Sequence, residues 1–215
     1  MRIPQPNGTK GSLKWMQRAV AARPDLLQPE GLPPLTWVSP LAEDDFAEYR
    51  DGAFLDKLGL SKFNADLAGF WPMRGPQWDG LARFDDGVIL AEAKAHLREF
   101  DTPPSAAGAR SAKQIDHAFA KVQASLGVKA QPWRQVRYQY ANRLAHLWWL
   151  RQLGVNAHLL FVSFLGDSEM PGSASKEDWR AAYDLADREL GLSRDHGLVA
   201  HVHHRFVEVA PLQQT

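Results

Sequence analysis

The stretch WDGLARFDDGVILAEAKAH, residues 78–96, decides the fold of this chain. A stretch of apolar and polar residues covers 78–84, an apolar run covers 88–91, and Asp85-Asp86-Gly87 lies between them. Two such runs joined by Asp-Asp-Gly are typical of a β-hairpin with a tight turn. The sequence therefore predicts two neighbouring antiparallel strands in the interior of a sheet.

Three charged residues lie on these predicted strands. Glu92 and Lys94 are two residues apart, so in a strand their side chains point to the same face. A turn at Asp86-Gly87 places Asp79 on the neighbouring strand, roughly level with Lys94. We therefore expect Asp79, Glu92 and Lys94 to converge on one face of a buried sheet.

Charged groups beside an apolar strand are costly unless they are paired or bind a cation. Two carboxylates supply the oxygen ligands that magnesium or manganese prefers, and a lysine ammonium can position a water molecule or stabilise developing negative charge. Asp79, Glu92 and Lys94 are therefore candidate catalytic residues.

Twelve residues separate Asp79 from Glu92-Ala93-Lys94. This pattern on an apolar strand resembles the motif of the PD-(D/E)xK nuclease superfamily, whose members have the restriction-endonuclease-like fold. The resemblance implies an Mg²⁺- or Mn²⁺-dependent hydrolase of phosphodiesters, with DNA preferred over RNA. It further implies that Asp79 and Glu92 bind the metal with the backbone carbonyl of Ala93, and that Lys94 orients or deprotonates the attacking water. Trp78 stands where the motif has its proline.

A second interpretation fits the same residues. An Asp on one strand and Glu-x-Lys on the next also describe a solvated sheet face with cross-strand ion pairs. On that interpretation, the protein is a catalytically inactive nuclease-fold module that binds nucleic acid or a protein partner. The sequence leaves both alternatives open.

The composition limits the remaining classes. The chain has 215 residues, of which 45% are hydrophobic and 23% charged, as in ordinary globular proteins. Its 25 basic and 25 acidic residues balance, so any nucleic-acid-binding surface must be local. No cysteine is present, which excludes disulfides, thiolate zinc sites and a cysteine nucleophile. We expect a cytoplasmic protein without a membrane segment; a homodimer is compatible with the sequence.

The pattern along the chain predicts an appendage followed by one α/β domain. Residues 1–38 contain a short basic helix and a proline-rich joint at residues 29–34. Residues 39–215 follow with a mixed central sheet flanked by helices on both faces. The order of elements over residues 39–165 resembles the restriction-endonuclease-like core.

Ahead of the hairpin, the sequence predicts a helix and a strand. Ser39-Pro40 is typical of a helix start, and Ala42, Phe46, Tyr49 and Ala53 form its apolar stripe. Glu48 lies in the middle of this helix, and the resemblance implies that it supplies an additional acid to the metal site. Residues 67–73 are predicted to form the first strand of the sheet.

After the hairpin, helices are expected over residues 111–126 and 133–153, and a strand buried on both faces over 157–164. A loop over 166–173 precedes a helix opened by Ser175 and Asp178, and an edge strand covers 199–209. Polar residues on the second helix recur at helical spacing. The candidate substrate-binding residues are Gln139 and Asn142 from that stripe, together with Lys113. His201, His203 and His204 lack a recognisable further ligand, so we expect no metal site there.

Overall fold

A five-stranded mixed sheet forms the centre of the protein, in a computed structural model that describes residues 1–169 and 174–213. Its strands lie in the spatial order β2-β4-β5-β6-β7. The pairs β2–β4 and β4–β5 are antiparallel, whereas β5–β6 and β6–β7 are parallel. A separate two-stranded antiparallel ribbon joins β1 to β3. The strands are β1 (Arg2–Ile3), β2 (Thr36–Ser39), β3 (Glu48–Tyr49), β4 (Gly80–Phe84), β5 (Gly87–Lys94), β6 (Asn156–Leu165) and β7 (Val202–Glu208).

Seven α-helices surround this sheet within the described residues. They are α1 (Gly11–Ala22), α2 (Gly52–Leu58), α3 (Asn64–Phe70), α4 (Leu97–Phe100), α5 (Ala109–Ser125), α6 (Tyr138–Gln152) and α7 (Lys176–Leu190). The predicted mixed α/β class is therefore confirmed.

Side-chain alternation along the central strands divides the core into two layers. On β5, Val88 and Leu90 pack with residues of α2, α3, α5, α6 and α7. Ile89 and Ala91 point the other way and pack with residues of α1. All eight residues of β5 are buried, as expected for a strand covered on both faces. Glu92 and Lys94 continue the series of Val88 and Leu90, so they lie on the face that α6 covers.

The N-terminal residues form part of this core. Trp15 and Met16 of α1 are fully or almost fully buried against the sheet. β2 supplies the edge strand beside β4, and it spans the boundary that was predicted between residues 38 and 39. The segment 1–38 is therefore packed into the sheet rather than placed beside it.

The helix predicted after Ser39-Pro40 is wrong. Residues 42–44 form one 3₁₀ turn, and the left-handed backbone at Asp45 and Phe46 ends it. The chain then pairs with the N-terminus, because Glu48 lies opposite Ile3 in the ribbon. Helical spacing of the apolar residues was present, but this long-range pairing overrode it.

The strand predicted over residues 67–73 is also wrong. This region forms α3 instead, with Leu67 and Phe70 on its buried face. Trp71 continues that face, so the spacing of three and four residues was the better indicator. The first strand of the sheet is β2, which begins in the segment predicted to precede the domain.

The helix predicted over residues 133–153 is shorter than expected. Arg137 has a left-handed backbone, and α6 begins only after it. The preceding turn is fixed by Trp133, whose indole donates to the carbonyl of Leu190 at 2.9 Å. The longest helix is therefore α5, with 17 residues.

The other predicted elements are confirmed. They are the hairpin, the helix near residues 111–126, the strand near 157–164, the capping box of Ser175 and Asp178, and the edge position of β7. Of the loop predicted over 166–173, residues 170–173 lie outside the described part of the chain.

We predict that Trp15→Ala lowers the free energy of unfolding by about 3–5 kcal/mol, because it removes a fully buried side chain and leaves a cavity. Chemical denaturation of the purified variant measures this loss. Leu185→Ala, at a position that is 40% exposed on α7, is the matched control and should change stability by no more than about 0.5 kcal/mol. Equal effects of the two substitutions would contradict the integral position of α1.

Candidate functional site

The register of the hairpin brings the predicted acidic residues to one level. Phe84 pairs with Gly87 and Gly80 with Ala91, so the turn consists of Asp85 and Asp86. By continuation, Asp79 lies across from Glu92, two residues away from the predicted level at Lys94. The turn begins one residue earlier than predicted. A shift of two positions preserves the face, so Asp79, Glu92 and Lys94 still meet on the side covered by α6.

Glu92 is the most strongly bound of these residues. Its side chain is 3% exposed, and the Lys94 ammonium donates to Oε1. The Arg143 guanidinium donates from Nε to Oε2 at 2.7 Å. Burial alone would raise the pKa of Glu92, but the charges of Arg143 and Lys94 outweigh it and lower that pKa. Glu92 is therefore held as a carboxylate between two cations.

Lys94 is held in its charged form by the same arrangement. Burial would lower the pKa of its ammonium, but the negative charges of Glu92 and Asp79 outweigh it and raise that pKa. The side chain of Lys94 is only 10% exposed, so little water competes for the hydrogen bonds of its ammonium. Lys94 therefore remains a cation at the base of the site.

Asp79 has no cationic partner in direct contact among the described residues. Its Oδ2 accepts a hydrogen bond of 2.8 Å from the backbone N–H of Ala93. Surrounding protein atoms and the nearby charge of Glu92 raise the pKa of Asp79 well above its ordinary value, although the side chain keeps some exposed surface. When Asp79 is ionised, only the nearby charge of Lys94, which forms no direct ion pair with it, compensates its negative charge in part.

The backbone of Ala93 lies beside Asp79. The β4–β5 ladder ends at the Gly80–Ala91 pair, so the Ala93 peptide extends beyond it. In a strand, the N–H and the C=O of one residue point to the same neighbour. Since the N–H of Ala93 points to Asp79, its carbonyl points to the same edge, where the resemblance placed a metal ligand.

Glu48 also belongs to this group, although it comes from β3 rather than from the middle of a helix. It is 7% exposed, and its Oε2 accepts hydrogen bonds from the side-chain amides of Gln77 and Gln5. Burial raises the pKa of Glu48 above its ordinary value, and the charge of Glu92 adds to this effect. The ribbon of β1 and β3 therefore positions an additional acid near Asp79.

A cavity of about 470 Å³ opens above these acids. Glu48 and Asp79 line it together with Gln139, Asn142 and Arg143. Two of the three candidate substrate-binding residues thus face the cavity. The third, Lys113, is exposed on α5 and is not among the residues that line it. Glu92 and Lys94 also do not line the cavity but lie beneath it.

Arg143 and Gln77 are the residues that sequence analysis missed. Arg143 is 3% exposed and donates from Nη2 to the carbonyl of Gln77 at 2.8 Å. It lies three residues after Tyr140 and four before Leu147, which is within the apolar stripe of α6. An arginine inside such a stripe indicates a buried charge that requires a partner, and this signal could have identified it.

The donor atoms of the site fit a hard divalent cation in part. Within the described residues, Oδ1 of Asp79 and Oε1 of Glu48 accept no hydrogen bond, so both can bind a cation. The two oxygens of a carboxylate offer about four lone-pair sites, so Glu92 keeps capacity beyond its bonds to Lys94 and Arg143. When all three carboxylates are ionised, the two fixed cations leave a net negative site, which favours a cation.

As arranged here, residues 1–169 and 174–213 contain no group of three or more His, Cys, Asp or Glu side chains placed to hold a metal ion. This finding includes the C-terminal histidines. The Nε2 atom of His203 instead lies 2.9 Å from the Nδ1 atom of His158.

Comparison with known proteins identifies no relative: no protein-family model, curated protein or solved structure matches the chain. Of the helices that the structure describes, none has both the length and the apolar character needed to cross a bilayer.

We predict that Arg143→Met lowers the free energy of unfolding by about 3–5 kcal/mol, because it removes one of the two cations that compensate buried Glu92. Urea denaturation at neutral pH measures the change. Arg134→Met is the matched control: Arg134 pairs with the half-exposed Asp116, so its loss should cost at most about 1 kcal/mol. Combining Arg143→Met with Glu92→Gln should cost less than the sum of the two single effects.

The buried His146 on α6 leads to a prediction about the pH dependence of stability. His146 is 1% exposed, and burial lowers its pKa to about 3. The pKa of an unfolded histidine is about 6.5, so the unfolded chain binds more protons between these values. The contribution of neutral His146 to the free energy of unfolding is therefore complete above pH 6.5 and is lost as the pH falls toward 3.

Between pH 7.5 and pH 5.5, the wild type should lose about 1.4 kcal/mol more stability than His146→Phe, because the variant lacks this proton uptake. Phe preserves ring contacts with the surrounding Phe70 and Trp71. Parallel pH profiles for the two proteins, determined by urea denaturation, would contradict a neutral buried His146.

Proposed function

We propose that this protein is a divalent-metal-dependent nuclease that hydrolyses phosphodiester bonds, with DNA as its substrate. One observation carries this proposal: Asp79, Glu92 and Lys94 meet on one sheet face, directly beneath a cavity lined by amides and Arg143. The antiparallel β4–β5 pair followed by the parallel β6 supports a restriction-endonuclease-like core.

In this proposal, Asp79, Glu92 and Glu48 hold Mg²⁺ or Mn²⁺ with the carbonyl of Ala93. When bound, the metal supplies electrophilic stabilisation of the phosphate and a lower pKa for water. Burial is the main cause of the raised pKa values of Asp79 and Glu48, and the charge of Glu92 adds to it; a divalent cation would offset both effects.

Lys94 and Arg143 have different roles in the proposed mechanism. Lys94 is a charged donor fixed by Glu92, and it orients the attacking water and stabilises negative charge as the phosphate is attacked. Arg143 fixes the carboxylate of Glu92 from the helix side and also donates to Oδ1 of Asn142. Arg143 therefore acts as a positioning residue that limits the rotamers of Glu92.

The cavity above the acids is suited to a phosphate backbone. Gln139, Asn142 and Arg143 line its wall on α6, and Arg74 lies on the opposite segment. Amides and guanidinium groups are common ligands of phosphate oxygens. Since the chain has no net charge, this local concentration of donors would provide the contacts to nucleic acid.

The two ion pairs of Glu92 support a second candidate function. Both of its oxygens are bound by cations, and neither Glu92 nor Lys94 lines the cavity. A module that binds nucleic acid or a protein partner without turnover is consistent with this arrangement. On this alternative, the pair with Arg143 and Lys94 has a structural role.

Cleavage assays distinguish the two candidates. We expect Mn²⁺- or Mg²⁺-dependent hydrolysis of single-stranded, duplex or flapped DNA, and loss of most turnover in Lys94→Met, because the variant lacks the ammonium that orients water. Lys121→Met, at an exposed position on α5, is the matched control and should retain activity. Full activity in Lys94→Met would exclude the proposed role of Lys94.

Metal-linked stability provides the second measurement. Manganese at about 100 times its dissociation constant should stabilise the wild type by about 2.7 kcal/mol. Lys94→Met should retain this stabilisation because the oxygen ligands remain, whereas Asp79→Ala should lose it. If the protein cleaves neither DNA nor RNA, and manganese leaves its melting temperature unchanged, the protein is a binding module rather than a nuclease.

A further inference from the structure

A second cavity lies next to the candidate site. Its volume is about 220 Å³, and Gly75 and Pro76 line both cavities, so a short segment of chain separates them. α6 also connects the two: Asn142 lines the site cavity, and His146, one turn later, lines the second cavity. A molecule bound in one cavity is therefore adjacent to a molecule bound in the other.

The second cavity is suited to a flat ring. Phe54, Trp71 and His146 line it, and the Trp71 and His146 rings meet edge to face with centroids 4.8 Å apart. An apolar cavity of about 150 Å³ can accommodate benzene, so a volume of 220 Å³ admits a substituted aromatic heterocycle. Exposed Met73 and Ala68 also line the cavity, which places its opening on the surface.

Two hydrogen-bond acceptors of the lining have no described partner. His146 Nδ1 lies 2.8 Å from the carbonyl of Asn142. Because a carbonyl only accepts, Nδ1 carries the proton, and Nε2 of the neutral ring remains an acceptor. Asn64 donates from Nδ2 to Asp56 at 2.9 Å, whereas its Oδ1 is buried and has no hydrogen-bond partner among the described residues.

The space for Asn64 Oδ1 depends on Gly52. A Cβ atom at residue 52 would lie only 2.8 Å from this oxygen. Asn64 Oδ1 is therefore packed against Gly52 and closed to a ligand in the cavity. His146 Nε2 is the acceptor of the lining that faces a bound ring, and it favours a ring with an amino group at the matching edge.

We infer that this second cavity binds one nucleobase with a purine 6-amino or a pyrimidine 4-amino group, adenine or cytosine, taken out of the stack of a nucleic acid strand. The amino group donates to His146 Nε2, and the ring contacts Trp71 and Phe54. This inference rests on the proposed nuclease function for its link to cleavage, since the adjoining cavity then holds the phosphate backbone. An unstacked base read by polar contacts and aromatic rings is a known mode of recognition.

Nucleoside binding without metal tests the inference separately from cleavage. We would titrate the full-length protein with adenosine, cytidine, inosine and uridine and follow ligand resonances by NMR. Inosine and uridine carry a carbonyl where adenosine and cytidine carry the amino group. We expect adenosine or cytidine to bind roughly tenfold more tightly than its carbonyl counterpart, because a carbonyl at the amino position would set one acceptor against another, His146 Nε2.

Variants on α3 and α6 locate the bound base. Ala68→Trp should fill the opening and abolish binding, whereas Ala65→Trp, at an exposed position that does not line the cavity, should preserve it. His146→Phe should remove the preference for the amino group, because it keeps an aromatic ring but lacks the Nε2 acceptor. Circular dichroism would confirm that each variant is folded.

The inference is overturned if no nucleoside binds, if all four bind equally, or if Ala68→Trp binds as the wild type does. Asp79→Ala should bind adenosine or cytidine unchanged, because it alters only the proposed metal site. Nucleoside binding without any cleavage would therefore support the cavity assignment and reject the nuclease. Cleavage without nucleoside binding would reject the cavity assignment and support the nuclease.

Discussion

A carboxylate buried on the central strand of a sheet must be neutralised, and Glu92 imposes this constraint here. Transfer of an unpaired carboxylate into the protein interior costs several kcal/mol. Glu92 meets the requirement with Lys94 on its own strand and with Arg143 from α6. Because Arg143 also binds the carbonyl of Gln77, one guanidinium fixes the helix to both the strand and the segment that leads into the hairpin. The docking of α6 therefore depends on the same contact that orders the candidate site.

The charges of the site are distributed unevenly, and this asymmetry defines its chemistry. Glu92 is fully compensated, whereas Asp79 and Glu48 accept hydrogen bonds only from neutral donors. Burial raises the pKa values of both residues, the nearby charge of Glu92 adds to this effect, and the neutral donors do not outweigh it. Two carboxylates at a cavity wall that resist ionisation are suited to bind either protons or a divalent cation. The rigid cationic layer beneath them would keep Glu92 and Lys94 in place during either event.

The N-terminal segment contributes to this arrangement more than its position in the chain indicates. Gln5 donates to Glu48, and β1 pairs with the strand that carries Glu48. α1 covers the opposite face of the sheet, where Gly80 permits close approach of Met16 and Trp37. Residues that resemble an appendage in the sequence therefore build the second layer of the core and hold Glu48 in place at the site.

The sequence by itself determined the hairpin, the buried strand β6 and the convergence of Asp79, Glu92 and Lys94, because these depend on local turn residues and on strand alternation. Only the tertiary structure decided the position of Glu48, since the pairing of β3 with β1 joins segments more than forty residues apart. It also decided that Arg143 neutralises Glu92, because two residues on separate elements became partners only when α6 packed on β5. Periodicity describes which face a residue occupies, but it contains no information about which distant residue lies opposite.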